Sequence, residues 1–366
     1  MIWLLWVAFI VFVLLMLALD LGVFNRKAHV ISIKESLLWT AFWISLALVF
    51  NVLVYFMYEH HWLGIGDNPE HVTGGATAAT AFLTGYIVEK CLSLDNIFVI
   101  ALVFSYFGVE RKYQHRVLFW GILGALLMRG VMIGVGAALI SRFEWIIYIF
   151  AAILLFTAVK MMLANDEKIE PEKNPLVILA RKIFRVTPGF EGERFFSKVD
   201  GKFAITPMFL VLLVVESTDV IFAVDSIPAI FGITQDPFIV FTSNVFAILG
   251  LRSLYFALAG ILAMFQYVKH SLIFVLVFVA VKMMIHKKVE IDEWVSLLII
   301  GMTLAVGVMA SIIVARREGM KMPDDSGDQS AATFEDSVEF NPAGQANHAV
   351  PAVKPSDKPQ PPKTFM

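Results

Sequence analysis

Two apolar stretches of this sequence carry more ionisable side chains than a lipid-spanning helix normally tolerates. The first, TGYIVEKCLSLDNIFVI, holds Glu89, Lys90, Ser93, Asp95 and Asn96. The second, VVESTDVIFAVDSIPA, holds Glu216, Ser217, Thr218, Asp219, Asp225 and Ser226. An acidic residue at the centre of a membrane helix costs roughly 2.5–3.5 kcal/mol on insertion scales, so five cost about 10 kcal/mol or more before any pairing. Residues this costly persist where they line a cavity, pair, or hold a cation. At about 100° per residue, Glu89, Ser93 and Asn96 share one helical stripe, as do Glu216 and Asp219. Asp95 and Asp225 lie off those stripes. Either they serve other neighbours or the helices unwind locally. Pro228, which has no backbone N–H, favours a break in the second stretch. Carbonyls freed by such a break are tolerable only around a cavity.

The donor types narrow the cargo. Carboxylates, an amide and hydroxyls suit hard cations such as Mn²⁺, Mg²⁺ or Ca²⁺, whereas histidine or thiolate pairs would suit Zn²⁺ or Cu⁺. Several carboxylates in a low-dielectric setting favour a divalent ion, and once emptied they take up protons, so proton exchange is chemically available. The donors these two spans offer are the carboxylates Glu89, Asp95, Glu216, Asp219 and Asp225, the Asn96 amide and the hydroxyls of Ser93, Ser217, Thr218 and Ser226. The competing reading makes the acids ion-pair glue with Lys90, Arg129, Lys160, Arg252 and Lys282. Acids placed twice at matching positions favour the ligand reading, with Lys90, Arg129 and Arg252 as charge-balancing or gating groups. Asp20 either caps the site from outside or bonds Arg26. The single cysteine, Cys91, excludes an internal disulfide, a CxxC pair and a multi-thiolate site. No nucleophile–base or haem-ligand pair is visible, so no catalytic residue, no enzymatic activity and no resident cofactor are expected.

The elements that must position these residues are membrane helices. Of 366 residues, 58% are hydrophobic and 16% charged, against about 45–50% and 25% in soluble domains. Mean hydropathy is +0.76. A soluble enzyme is excluded, and a net charge of -2 gives no reason to expect a nucleic-acid partner. Nine apolar runs have helical length for a bilayer: about 1–24, 37–57, 74–107, 116–140, 145–163, 207–231, 238–264, 270–286 and 293–315. The third is longer than needed and is expected to be tilted, broken or partly outside. The first run reads as a retained helix, having no basic residue ahead of it and no small-residue cleavage site. Lys and Arg gather at 26–34, 111–116, 164–206 and 316–317, with Lys287 and Lys288 against the trend. That asymmetry predicts an outside N-terminus and a cytoplasmic C-terminus.

An internal repeat organises the runs. LFTAVKMML at 155–163 recurs as VFVAVKMMI at 277–285; Arg129 and Arg252 match at nearly the same offset, as do Asp95-Asn-Ile-Phe and Asp219-Val-Ile-Phe. Each copy spans three helices, an odd number, so the second enters the membrane inverted, with the substrate site near the midplane between copies. The fold class predicted is all-α, a polytopic membrane bundle of about nine helices. Its units are 1–73 (two accessory helices), 74–163 (repeat 1), 164–206 (a basic cytoplasmic loop), 207–286 (repeat 2), 287–317 (the last helix) and 318–366. The last segment is rich in Pro, Asp, Ser and Lys and is expected to be disordered. The loop mixes Ile178, Leu179, Ile183 and Phe184 with basic residues, which predicts a short interfacial helix.

ALDLGVFNRK at 18–27, EKCLSLDNIFV from Glu89 and ESTDVIFAVDSIPA from Glu216 together resemble the TerC family of bacterial membrane proteins. This family was named for tellurium resistance and includes Alx. The resemblance covers nearly all of 1–315. It implies an inner-membrane protein with three-helix repeats, related to LysE-type exporters. It also implies a part in manganese export or metal homeostasis, with redox modulation or tellurite resistance as other proposed roles. The family's acidic positions fall on Glu89, Asp95, Glu216, Asp219 and Asp225, beside Asn96 and Ser226. Two functions follow. One is a Mn²⁺ exporter working by alternating access, coupled to proton or sodium influx. The other is a non-transporting scaffold or redox modulator linked to tellurite resistance. Expected partners are the metal ion, the bilayer, and a second copy or other membrane proteins.

Overall fold

The apolar runs form helices whose ends follow local chemistry. The computed structural model describes residues 2–22, 32–67, 74–163, 171–199, 201–258, 268–286, 288–289 and 291–317, leaving aside the side chains of 20–22 and 172. In chain order the helices are α1 (Trp3–Gly22), α2 (Ile33–Glu59), α3 (Gly75–Phe107), α4 (Arg111–Arg142), α5 (Ile146–Leu163), α6 (Pro175–Ile183), α7 (Pro207–Phe231), α8 (Pro237–Leu249), α9 (Leu251–Leu258), α10 (Val268–Ile285) and α11 (Glu293–Arg317). Proline opens α6, α7 and α8, where its missing N–H costs no hydrogen bond. Asp236 caps α8 by accepting from the backbone N–H groups of Phe238 and Ile239. α3 ends at Gly108, whose φ of +65° closes the helix in the left-handed region.

Six of these helices are long and apolar enough to cross a membrane, or seven if α8 and α9, bent by 41° at Gly250, form one broken span. The chain is thus a multi-pass helical membrane protein, but fewer helices meet that test than the nine apolar runs predict. Neither α3 nor α7 is broken. α3 is one helix of 33 residues. α7 runs through Pro228 to Phe231, the missing N–H removing only the bond to the Val224 carbonyl one turn back. The break falls instead between α8 and α9.

One small sheet accompanies the helical bundle. Between α6 and α7 lies a three-stranded sheet: β1 (Arg185–Val186), β2 (Phe196–Val199) and β3 (Lys202–Ile205), in the order β1-β3-β2. β2 and β3 pair antiparallel, with Lys198 opposite Phe203, and β1 joins β3 in parallel. Gly201, at φ +74°, supplies the left-handed residue of the turn between β2 and β3, as the glycine of an Asp-Gly pair commonly does. The predicted short helix of this loop is α6. The segments 23–31, 164–170 and 318–366, including Arg26 and the acidic, Pro-rich tail, lie outside the described residues.

The packing of the two sets of three helices follows a reciprocal pattern. α3 packs on α7 and α5 on α10, each helix against its counterpart; α3 also packs on α8 and, reciprocally, α4 on α7. That reciprocity is the pairing the internal repeat of the sequence leads one to expect. Inside lipid the helices gain little from hydrophobicity and rely on close fit at small residues. A Cβ on Gly85 of α3 would lie 2.9 Å from Ser243 Oγ of α8, and one on Gly136 of α4 would lie 2.8 Å from the Phe231 ring of α7. α1 and α2 close one flank through Phe9, Phe50, Phe82 and Phe246, with Phe50 and Phe246 centroids 4.7 Å apart.

Candidate cation site

Arg129 of α4 is the largest fully buried side chain among the described residues, and it reaches acids from both repeats. Its Nη1 donates to Glu89 Oε1 of α3. Its Nε and Nη2 donate to Asp219 Oδ2 and Oδ1 of α7, at 3.2 Å and 2.9 Å. The two-pronged contact matches the planar guanidinium to the carboxylate. Nη1 also approaches Ser226 Oγ of α7 and Asn244 Oδ1 of α8, each at 3.3 Å. Asn96 Nδ2 donates to Asp219 Oδ1 at 3.5 Å. Four helices thus converge on one cation that the chain itself supplies.

Helical spacing accounts for who is present. Glu89, Ser93 and Asn96 are all buried, as one shared stripe requires. Ser93 Oγ donates to the Glu89 carbonyl, closing a side-chain bond one turn back. Glu89 is 0% exposed, and its second oxygen, Oε2, has no hydrogen-bond partner among the described residues; nor does Asn96 Oδ1. Two buried oxygens beside a paired carboxylate are a donor set suited to a hard cation. Glu216 lies one turn before Asp219, and its carboxylate fills the space a Cβ on Gly124 of α4 would occupy.

The structure does not gather all seven candidate ligands. Among the described residues no three His, Cys, Asp or Glu side chains form a group that could hold a metal. Asp95 and Asp225 each stand six residues beyond Glu89 and Asp219, which turns them by about 240° on an unbroken helix. Asp225 accepts from Thr157 Oγ1 of α5 at 2.6 Å, with Lys160 nearby. Asp95 is within electrostatic reach of Lys269 of α10. Each therefore meets the third helix of the opposite repeat. Lys90 Nζ donates to the Ala247 carbonyl at the end of α8, 3.1 Å away, where a cation complements the helix dipole. Arg252 is buried in α9. Asp20 falls in the last turns of α1, and its side chain lies outside the described residues.

Three contributors went unremarked in the sequence. Asn244 closes the polar triplet Thr242-Ser243-Asn244 inside an apolar run, and all three are buried. Thr157 sits within the repeated segment of α5, and Gly124 within the ILGALL run of α4.

The family model described as "Integral membrane protein TerC family" matches residues 74–319. The chain belongs to the TerC family. The TerC match begins one residue before α3 and includes α3 to α11, so every helix that touches Arg129 lies inside it. A Myxococcus xanthus protein named "Uncharacterized membrane protein STKORF319" is 49% identical over 85% of this chain and 93% of its own length. The Escherichia coli K12 protein named "Putative membrane-bound redox modulator Alx" is 46% identical over 85% of this chain and 94% of its own length. A Rickettsia bellii membrane protein is 40% identical, covering 84% of this chain and 97% of its own length. No solved structure matches.

Proposed function

We propose that this TerC protein exports a divalent metal cation, Mn²⁺ foremost, across the bacterial inner membrane by alternating access between its two three-helix repeats. The observation that carries this reading is the Arg129 site. Carboxylates from the first helix of each repeat, Glu89 and Asp219, meet on a cation that also approaches the Asn244 amide oxygen and the Ser226 hydroxyl, while Asn96 Nδ2 donates to Asp219.

An incoming Mn²⁺ competes with the guanidinium for the same oxygens. Glu89 and Asp219 supply charge, and Asn96 Oδ1 and the second Glu89 oxygen supply further ligands without breaking other bonds. Arg129 then withdraws along α4, and its return after release restores charge balance. Glu216, one turn from Asp219, offers a carboxylate for the coupling proton or sodium ion. In this reading the N-terminus is outside and the C-terminus cytoplasmic, the orientation that the Lys and Arg asymmetry favours. The tail from 318 has no part in transport. The protein acts as a carrier with no resident cofactor and no enzymatic step.

The test is cellular manganese under excess Mn²⁺ in cells producing equal amounts of wild type or Asp219→Asn. Wild type should lower it and Asp219→Asn should not. Manganese unchanged by wild type, or lowered equally by both, would overturn the assignment. The name redox modulator given to the Alx relatives supports a second reading. One cysteine, Cys91, leaves this chain without an internal dithiol couple, so a redox effect would have to act through other proteins. Deleting 318–366 separates the readings, since a scaffold should depend on its tail and an exporter should not.

A further inference from the structure

The segment between the repeats presents an exposed surface that the cation site does not use. Its helix, α6, hides only Val177 and Ala180, while Ile178, Leu179 and Ile183 are 53%, 52% and 62% exposed. The apolar surface continues onto the sheet. The Phe184 ring lies 5.9 Å from Phe203, and Phe203 lies 5.5 Å from Phe196, with both sheet phenylalanines exposed. Basic residues are interleaved: Arg181, Lys182, Arg185, Lys198 and Lys202 are all exposed, and Lys198 stands opposite Phe203.

The attachment to α7 fixes the level of this surface. Asn174, the N-cap of α6, donates to Ser217 Oγ at 2.6 Å. Ser217 is ten residues past the start of α7, about 15 Å along the helix. From there α6 packs on α7 and leads to β1, which pairs with β3 just ahead of Pro207. α6 therefore runs back along the first turns of α7, with apolar Ile178 and Leu179 deeper and basic Arg181 and Lys182 in its last turn. At the other end the Arg116 guanidinium of α4 pins the hairpin through Glu193 at 3.1 Å and the Phe195 ring. Apolar residues deep and cations outward is the order in which acyl chains and anionic headgroups are met.

We infer that α6 and the β2–β3 hairpin form an interfacial binding surface for anionic phospholipids, the exposed leucine, isoleucine and phenylalanine side chains entering the acyl region and Lys182, Arg185, Lys198 and Lys202 holding the headgroup phosphates. The Asn174–Ser217 bond ties this surface to the residue next to Glu216. The lipid surface is independent of which cargo the protein carries.

The full chain is to be reconstituted in vesicles of roughly three parts phosphatidylcholine to one part phosphatidylglycerol, with a photo-reactive benzoyl-phenylalanine at position 183 or 203. Irradiation should give phospholipid adducts at both positions, with phosphatidylglycerol enriched about twofold or more over its share. A Lys182→Gln, Arg185→Gln, Lys198→Gln, Lys202→Gln protein should still form lipid adducts, with the enrichment gone. These four side chains are exposed, and an unchanged gel-filtration profile checks that the variant is folded. Protein adducts in place of lipid would make the surface a site for a second copy or another chain. Either that result, or a phosphatidylglycerol share equal to the bulk in wild type, would overturn the inference.

Discussion

Arg129 is the residue on which both stability and mechanism turn. It is 2% exposed, its partner Glu89 is 0% exposed, and removing one member of such a pair strands the other charge. Breaking a buried pair typically costs about 3–5 kcal/mol. Arg129→Ala should therefore lower the thermal unfolding midpoint in detergent, and adding Glu89→Gln should recover part of the loss. Arg129→Lys keeps the charge but cannot span Glu89 and Asp219 with a rigid fork, so an intermediate midpoint is expected. An Arg129→Ala midpoint equal to wild type would show that the pair contributes nothing. Gly124 gives a test at the same scale. A Cβ there overlaps the Glu216 carboxylate, so Gly124→Ala should displace Glu216 and depress Mn²⁺ transport while membrane levels hold. Transport at the wild-type rate would separate Glu216 from the site.

Helices explain why the site was only partly legible in the sequence. The stripe Glu89, Ser93, Asn96 and the pair Glu216, Asp219 follow from helical period alone, and the structure keeps both. Period also sets Asp95 and Asp225 apart; the family resemblance put them back among the ligands, and the unbroken α3 and α7 leave them outside. Asn244 could not be found by period, because its role depends on how α8 docks against α3 and α4. The sheet was hard to read because Phe196 to Ile205 (FSKVDGKFAI) has no strict alternation, leaving the Asp-Gly pair as its one hairpin signal. The off-stripe acids yield a prediction of graded effect. Asp225 is held by Thr157 of α5, not by Arg129, so Asp225→Asn should slow transport while leaving Mn²⁺ affinity within about twofold, a few tenths of a kcal/mol by the affinity relation. Asp219→Asn should remove binding. Isothermal titration of purified protein reads both, and equal loss of binding would return Asp225 to the central site.

For the whole molecule, the question is whether the two repeats move against each other. Their helices interlock reciprocally, α3 on α8 and α4 on α7, while α5 and α10 run together. Alternating access requires some of these contacts to slide, and those flanking Arg129 are the ones whose sliding would expose Glu89 and Asp219 to one side and then the other. The α3–α8 contact at Gly85 can be locked. A Cβ on Gly85 would lie 3.4 Å from Ser243 Cβ, close to the separation of about 3.8 Å typical of disulfides. Gly85→Cys with Ser243→Cys, in a Cys91→Ser background, should cross-link under mild oxidant, stop Mn²⁺ counterflow in vesicles, and regain it on reduction. Gly85 and Ser243 do not touch the cation, so lost transport with retained Mn²⁺ binding would mean that motion at this seam is required. Full transport by the oxidised protein would mean that α3 and α8 move as one body, leaving the α4–α7 seam, with Gly124 and Gly136, as the surface that opens.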